Sequence, residues 1–177
     1  NSIFKTTNKG ENWNFVSELP AANPGYYMGD IQFVNYHTGF LVGFVAYGAP
    51  VWNDYSRSLK TTNGGYNWFT IPNSYGNKFN DVHFINESTG YIAGNKSTLL
   101  KTTDTGNNWQ VLSHNSSTNF SFIKVSFINE QLGWLIYNDD AYSSTGSGIK
   151  KTINGGQDWS EQIHFGSEKL SSLFVYD

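Results

Sequence analysis

One frame of residues occurs four times in this chain and constrains its fold more than any other feature. It reads Thr, any residue, Asn or Asp, any residue, Gly, two more residues, Trp. The copies are Thr6, Asn8, Gly10, Trp13; Thr61, Asn63, Gly65, Trp68; Thr102, Asp104, Gly106, Trp109; and Thr152, Asn154, Gly156, Trp159. Repetition at this scale means one supersecondary unit used several times. An apolar strand runs into Thr and Asn or Asp, whose short side chains bond neighbouring backbone amides. Gly then takes a positive-φ position that a β-carbon would penalise. The Trp opens the returning strand, and its ring is expected to fold over the turn and bury a large apolar area. The frame therefore predicts four tight hairpins, and turn chemistry accounts for all of its members.

A second element lies upstream of three of these frames: DIQFVNYHTGFLVGF from Asp30, DVHFINESTGYIAGN from Asp81 and KVSFINEQLGWLIYN from Lys124. Ile31 and Phe33, Val82 and Phe84, and Val125 and Phe127 alternate as a half-buried strand requires. Asn35, Asn86 and Asn129 open a turn, Gly39, Gly90 and Gly133 close it, and Phe40, Tyr91 and Trp134 start the next strand. Two hairpins per unit give four strands, and radial arrays of four-stranded units are the blades of a β-propeller. The expected fold is all-β. Complete blades are expected at about 30–69, 81–111 and 124–160, with a partial blade at 1–17 and the first strand of another at 171–177. The chain reads as a segment of a larger propeller with open sheet edges that favour pairing with another segment.

The frame resembles the Asp-box, or BNR, repeat, written S/T-x-D/N-x-G-x-x-W. Among the families that carry it, the F-[IV]-N-x-x-x-G-aromatic stretch is most similar to photosystem II stability/assembly-factor-like proteins, with sortilin-type propellers next. The resemblance implies that the box is a structural turn between the third and fourth strands of a blade. It also implies assembly work on a membrane complex, which in that family relies on a basic surface patch. Here a single arginine, Arg57, and scattered lysines stand in its place.

Composition removes several functions. Eighteen Gly, 30 aromatic residues and only 14% charged residues indicate a turn-rich β-structure rather than a helical or disordered one. A net charge of -3 and the lack of any Lys/Arg run argue against nucleic acid. No apolar run reaches the roughly 20 residues a bilayer span needs. With no Cys there is no disulfide, thiolate nucleophile or zinc-thiolate site. Low charge with many Asn, Ser, Thr and Tyr points to a secreted or surface-attached bacterial protein, and the four Asn-x-Ser sequons fit chance in an Asn-rich chain.

Enzymatic readings find little support. Sialidases clamp a carboxylate with three arginines, and this chain has one. A propeller glycoside hydrolase, the alternative reading, needs two carboxyl groups at a catalytic separation. Asp30, Asp54, Asp139 and Asp140 are its candidates, with further carboxylates outside these residues. His37, His83, His114 and His164 have no metal-ligand spacing, and Tyr137–Asp140 lacks the alternation of a calcium loop. No metal or cofactor is expected.

Comparison of the repeats places recognition. The turns of the first-to-second and third-to-fourth strands share one face of a meander and barely vary in length. On the opposite face, the loop before the box varies from long (after Gly43) to short (after Gly94) to long again (after Tyr137). Loops of free length on a rigid scaffold are where binding usually sits. The expected contact surface is Tyr26, Tyr27, Tyr47, Trp52 and Tyr55, with Tyr142 from the third blade, for a protein or glycan partner. The function expected is a non-catalytic binding or scaffold module.

Overall fold

The structure is a computed structural model that describes residues 2–19, 26–46, 54–72, 78–139, 146–166 and 168–175. Its described residues form strands and no helix. An N-terminal hairpin pairs β1 (Ser2–Lys5) with β2 (Asn14–Glu18). Blade one is β3 (Tyr26–Phe33), β4 (Gly39–Ala46), β5 (Asp54–Thr61) and β6 (Phe69–Thr70). Blade two is β7 (Phe79–Phe84), β8 (Gly90–Gly94), β9 (Thr98–Thr102) and β10 (Gln110–Ser113). Blade three is β11 (Phe120–Phe127), β12 (Gly133–Asp139), β13 (Ser147–Thr152) and β14 (Ser160–Phe165). Every blade is an antiparallel meander in sequence order. The first strands β3, β7 and β11 stand side by side, as the inner strands of a propeller do.

Each inner strand starts earlier than its alternating pattern suggests. The register shifts between Met28 and Asp30, between Phe79 and Asp81, and between Phe122 and Lys124. One extra residue at the same place in all three blades is a β-bulge, which reverses the apolar alternation upstream and hides that part of the strand from a period-two reading. Residues 168–175 form no strand. Asn138 holds them instead, its side chain donating to the Leu170 carbonyl at 2.8 Å and accepting the Leu170 amide at 3.0 Å.

The four boxes have one hydrogen-bond pattern. In the second, Thr61 Oγ1 accepts the amides of Gly65 at 3.0 Å and Asn63 at 3.3 Å and donates to Asn63 Oδ1 at 3.0 Å, which itself accepts the Asn67 amide at 2.9 Å. Gly10, Gly65, Gly106 and Gly156 all have positive φ. The residue before each of them does too, a Gly in two boxes but Lys9 and Thr105 in the others. The sequence frame does not mark that second left-handed position. In the third box, the amide of Asn108 and then its side chain draw the Asp104 carboxyl down to about 2 against opposing desolvation, with smaller help from Thr102 and the Asn107 amide. Asn and Asp interchange here because each presents the same acceptor oxygen.

The second hairpin is equally regular. Asn35, Asn86 and Asn129 each accept amides two and three residues on, at 2.7–2.9 Å. Gly64, Thr105 and Gly155 of the boxes donate to the carbonyls of His37, Ser88 and Gln131. These bonds tie the two turns of each blade together on one face. Gly39, Gly90 and Gly133 serve packing rather than turn geometry: none has positive φ, and a β-carbon at Gly90 would lie 2.6 Å from the Phe84 ring.

The core lies between blades. Phe40, Val42 and Ile71 of blade one meet Phe79, Val82, Phe84, Ile92 and Leu100 of blade two. Tyr91, Ala93 and Leu99 of blade two meet Phe122, Val125, Phe127, Leu135 and Tyr137 of blade three. The third layer joins Leu19 to Tyr26, Leu41, Val45, Leu59 and Trp68, with Ile3 packed against it. Each blade therefore depends on its neighbours to bury its faces.

A candidate functional site on the long-loop face

Register matching across blades identifies where blade three departs from the repeat. Met28 pairs with Gly43, Phe79 with Gly94, and Phe122 with Tyr137. A β-carbon at Gly94 would collide with the Lys78 carbonyl, so backbone fills that place in blade two. Blade three carries a tyrosine there. On the adjacent strands, Leu100 and Val111 pair in blade two, whereas Lys150 and Glu161 pair in blade three. An apolar pair has become a charged one, and these departures converge in space.

The result is a cleft of about 480 Å³ between blades two and three, whose lining includes Ser97, Asn115, Phe120, Tyr137, Lys150 and Glu161. Its volume falls in the range of ordinary binding pockets. The Tyr137 ring is buried, packed edge-on against Phe120 at 5.3 Å. Its hydroxyl donates to Glu161 Oε2 at 2.9 Å and lies 3.1 Å from His164 Nδ1. Burial, then the hydrogen bond and charge of Glu161, push this phenol up to about 12. Lys150 Nζ sits 5.0 Å from the ring centroid, a cation–π contact. Aromatic walls, hydroxyl and amide groups and one charge of each sign can hold a polar polypeptide segment. Ser97 and Asn115 come from the loops and linkers of the variable face, which the sequence comparison singled out without naming these residues.

The expected contact surface divides. Tyr27 is exposed and stacks on Phe44, with centroids 4.9 Å apart and planes at 7°. Lys78 lies over the Phe44 ring at 4.5 Å, and Tyr55 is exposed on the neighbouring strand β5. Tyr26 leaves the surface: its ring is buried in the apolar layer with Leu19 and Leu41, and burial raises its phenol far above the ordinary range. Tyr47, Trp52 and Tyr142 lie outside the described residues.

The carboxylates weighed for hydrolysis are tied elsewhere. Lys124 Nζ is 2.6 Å from Asp81 Oδ1 and 3.5 Å from Asp30 Oδ2, and Asp81 also accepts the Val125 amide at 2.8 Å. Burial works against the Lys124 charge, yet the two carboxylates hold its ammonium above its usual value. These residues occupy one position in three inner strands and clamp the blades together. Asp139 is buried, Asp140 lies outside the described residues, and so does the side chain of Asp54. Gln32 and His83, also position-matched, each reach the next blade: Gln32 Oε1 accepts the Phe84 amide at 2.6 Å and His83 Nε2 accepts that of Phe127 at 3.0 Å. Among the described residues no three metal-ligating side chains cluster.

Comparison with known proteins agrees with this geometry. Residues 60–171 match the family described as photosynthesis system II assembly factor YCF48. The rice (Oryza sativa subsp. japonica) protein named photosystem II stability/assembly factor HCF136, chloroplastic, is 27% identical over 149 residues, covering 80% of this chain and 32% of the rice protein. Among solved structures, YCF48 bound to D1 peptide matches with a TM-score of 0.61 at 22% identity, over 78% of this chain and 42% of that one. YCF48 from Cyanidioschyzon merolae matches with a TM-score of 0.56 at 23% identity, over 80% and 38%. The chain thus spans less than half the length of each. These structures share its propeller fold. The expectation of a secreted or surface-attached bacterial protein is overturned by the chloroplast relative and by a family of photosystem assembly factors. Those relatives are named as assembly factors, which gives neither the glycoside-hydrolase alternative nor a glycan partner any support. Repeat frame, blade architecture and family match lead to one conclusion: this chain belongs to the photosynthesis system II assembly factor YCF48 family.

Proposed function

We propose that this chain is a non-catalytic, protein-binding part of an assembly-factor propeller, and that it holds a segment of its client polypeptide on the long-loop face. The observation that carries the reading is the joint departure of Tyr137, Lys150 and Glu161 from the repeat. A core position that exchanges a leucine–valine pair for a lysine–glutamate pair forgoes apolar burial, and a recognition site is the kind of gain that retains such an exchange. The exposed Tyr27–Phe44 stack and Tyr55 extend the same face across blade one. The structural neighbour solved with D1 peptide supports a peptide as the partner class.

The test reverts blade three to its own repeat. Lys150→Leu combined with Glu161→Val restores the pair found at Leu100 and Val111. Binding of labelled D1 peptide is followed by fluorescence anisotropy and folding by thermal melting. The expected result is at least tenfold weaker binding with an equal or higher Tm. Unchanged affinity in a folded variant would remove the cleft as the site. Tyr27→Ala and Tyr55→Ala then report whether blade one carries the contact.

A further inference from the structure

The second and third strands of each blade share one cross-strand position at which a glycine faces a residue with a side chain, and blade three inverts it. Gly43 pairs with Arg57 in blade one and Gly94 with Thr98 in blade two, so the glycine lies on the second strand. In blade three Tyr137 stands on the second strand and Gly148 on the third. The first two glycines admit backbone: a β-carbon at Gly43 would collide with the Tyr27 carbonyl, and one at Gly94 with the Lys78 carbonyl. Gly148 admits a side chain as well. A β-carbon there would lie 2.7 Å from the Tyr137 hydroxyl oxygen and 2.8 Å from its Cε1, besides 2.6 Å from the Ile163 carbonyl. Both ring distances are well inside van der Waals contact.

Backbone conformation does not call for glycine here, because Gly148 lies within β13 and its φ is not positive. What the missing side chain provides is passage. The Tyr137 side chain crosses β13 over Gly148 and sets its hydroxyl against the outermost strand, 2.9 Å from Glu161 Oε2 and 3.1 Å from His164 Nδ1. His164 is the β14 partner of Gly148, so the three residues form one row across the sheet. Phe120 meets the ring edge-on, and Lys150 lies 5.0 Å from its centroid. A ring held at its far end and on its flanks has little freedom left to lose when a client arrives.

We propose that Gly148 is the positioning residue of the cleft: the space above it lets Tyr137 lie across the sheet as a fixed wall instead of standing in the cleft and filling it. The proposal rests on the reading of this cleft as the client site. With a side chain such as that of Thr98 in its place, the ring loses its path to Glu161 and turns into the volume lined by Ser97, Asn115 and Lys150. The inverted pair and the charged pair are then two parts of one device. The first brings a tyrosine to the outer strand, and the second supplies the carboxylate that takes its hydrogen bond.

The test compares the full chain with Gly148→Ala, Tyr137→Ala and the double substitution. Tyr137 is followed by NMR of ring-labelled tyrosine and assigned through its loss in Tyr137→Ala. At pH 10 the native phenol, pushed up to about 12 by burial and Glu161, should remain protonated. In Gly148→Ala it should be partly ionised, as an ordinary tyrosine of pKa about 10 is, and labelled D1 peptide should bind at least tenfold more weakly. Gly148→Ala should lower Tm by several degrees in the native background and leave it nearly unchanged in the Tyr137→Ala background, where the displaced ring is gone. Should Gly148→Ala fail to fold, a folded double variant would support the proposal, and an unfolded one would assign the glycine to the Ile163 carbonyl and overturn it. Equal Tm losses in both backgrounds, or an unchanged Tyr137 signal in folded Gly148→Ala, would also overturn it. Peptide affinity kept by Gly148→Ala but lost by Lys150→Leu with Glu161→Val would overturn this proposal and leave the cleft as the client site.

Discussion

The first and third boxes share their turn and differ in their surroundings. Thr6 accepts the Gly10 amide at 2.9 Å and Thr102 accepts the Gly106 amide at 3.0 Å, and both bond the next Asn or Asp alike. Trp109 closes a joint between Phe40 and Phe84. Trp13, the same residue of the frame, is 63% exposed. The expectation that every box tryptophan buries its ring therefore fails at the first one, while Trp68 is buried and Trp109 and Trp159 are partly buried. The rings that receive Trp109 come from the second strand of blade one (Phe40) and the inner strand of blade two (Phe84), and among the described residues the N-terminal hairpin has no inner strand of its own. The turn is thus a local device, and tryptophan burial is a property of the joint.

The largest effect that would sharpen this contrast is Trp109→Ala, expected to cost roughly 3–5 kcal/mol by chemical denaturation, the range for truncating a large core aromatic. A loss below about 1 kcal/mol would mean that the joint does not depend on the ring. Thr61→Val comes next. It removes the single oxygen that accepts two backbone amides, one of them from a buried glycine, a loss of about 1–3 kcal/mol, whereas Thr6→Val in the exposed box should cost less because water replaces the lost partner. Equal losses at both positions would show that the turn's worth is independent of burial.

A third test concerns the bridges between inner strands. Burial lowers the His83 pKa against the opposing pull of the Phe127 carbonyl, 3.0 Å from Nε2, with Lys124 lowering it further and Asp30 raising it. The folded state therefore keeps the imidazole neutral. Its contribution is present above the unfolded value of about 6.5 and is lost as pH falls through the lower folded value. His83→Gln, which copies Gln32 at the same position of blade one, should flatten this acid limb in urea titrations taken between pH 7 and pH 5. An unaltered limb would assign it to other groups. The smallest effect expected is Trp13→Ala, within about 0.5 kcal/mol as for an ordinary surface substitution. A cost comparable to Trp109→Ala would show that the first ring is buried in solution.

Much of the fold was readable from residues alone, for a physical reason. The Thr, Asn and Gly of each box act within four residues of one another, and each Asn turn closes within three, so their geometry is written in adjacent positions. Strand alternation and the repeat itself follow from the same short range. The bulges at 29, 80 and 123 were not legible, because an extra residue is visible only against the partner strand. The proposed contact surface was legible only in part: the variable loops lead to the face where Ser97 and Asn115 line the cleft, whereas the burial of Tyr26 could not be told from residue type.

Sequence by itself determined the four turns, the four-stranded blades and the family, since each rests on contacts a few residues apart or on periodicity. Tertiary structure alone decided which tryptophans are buried, that Lys124 is clamped between Asp81 and Asp30, and that Tyr137, Lys150 and Glu161 meet in one cleft. The Lys124 contacts join residues 43 and 94 positions apart. At such distances the order of residues along the chain does not specify which groups meet, and the packing of one blade against the next does.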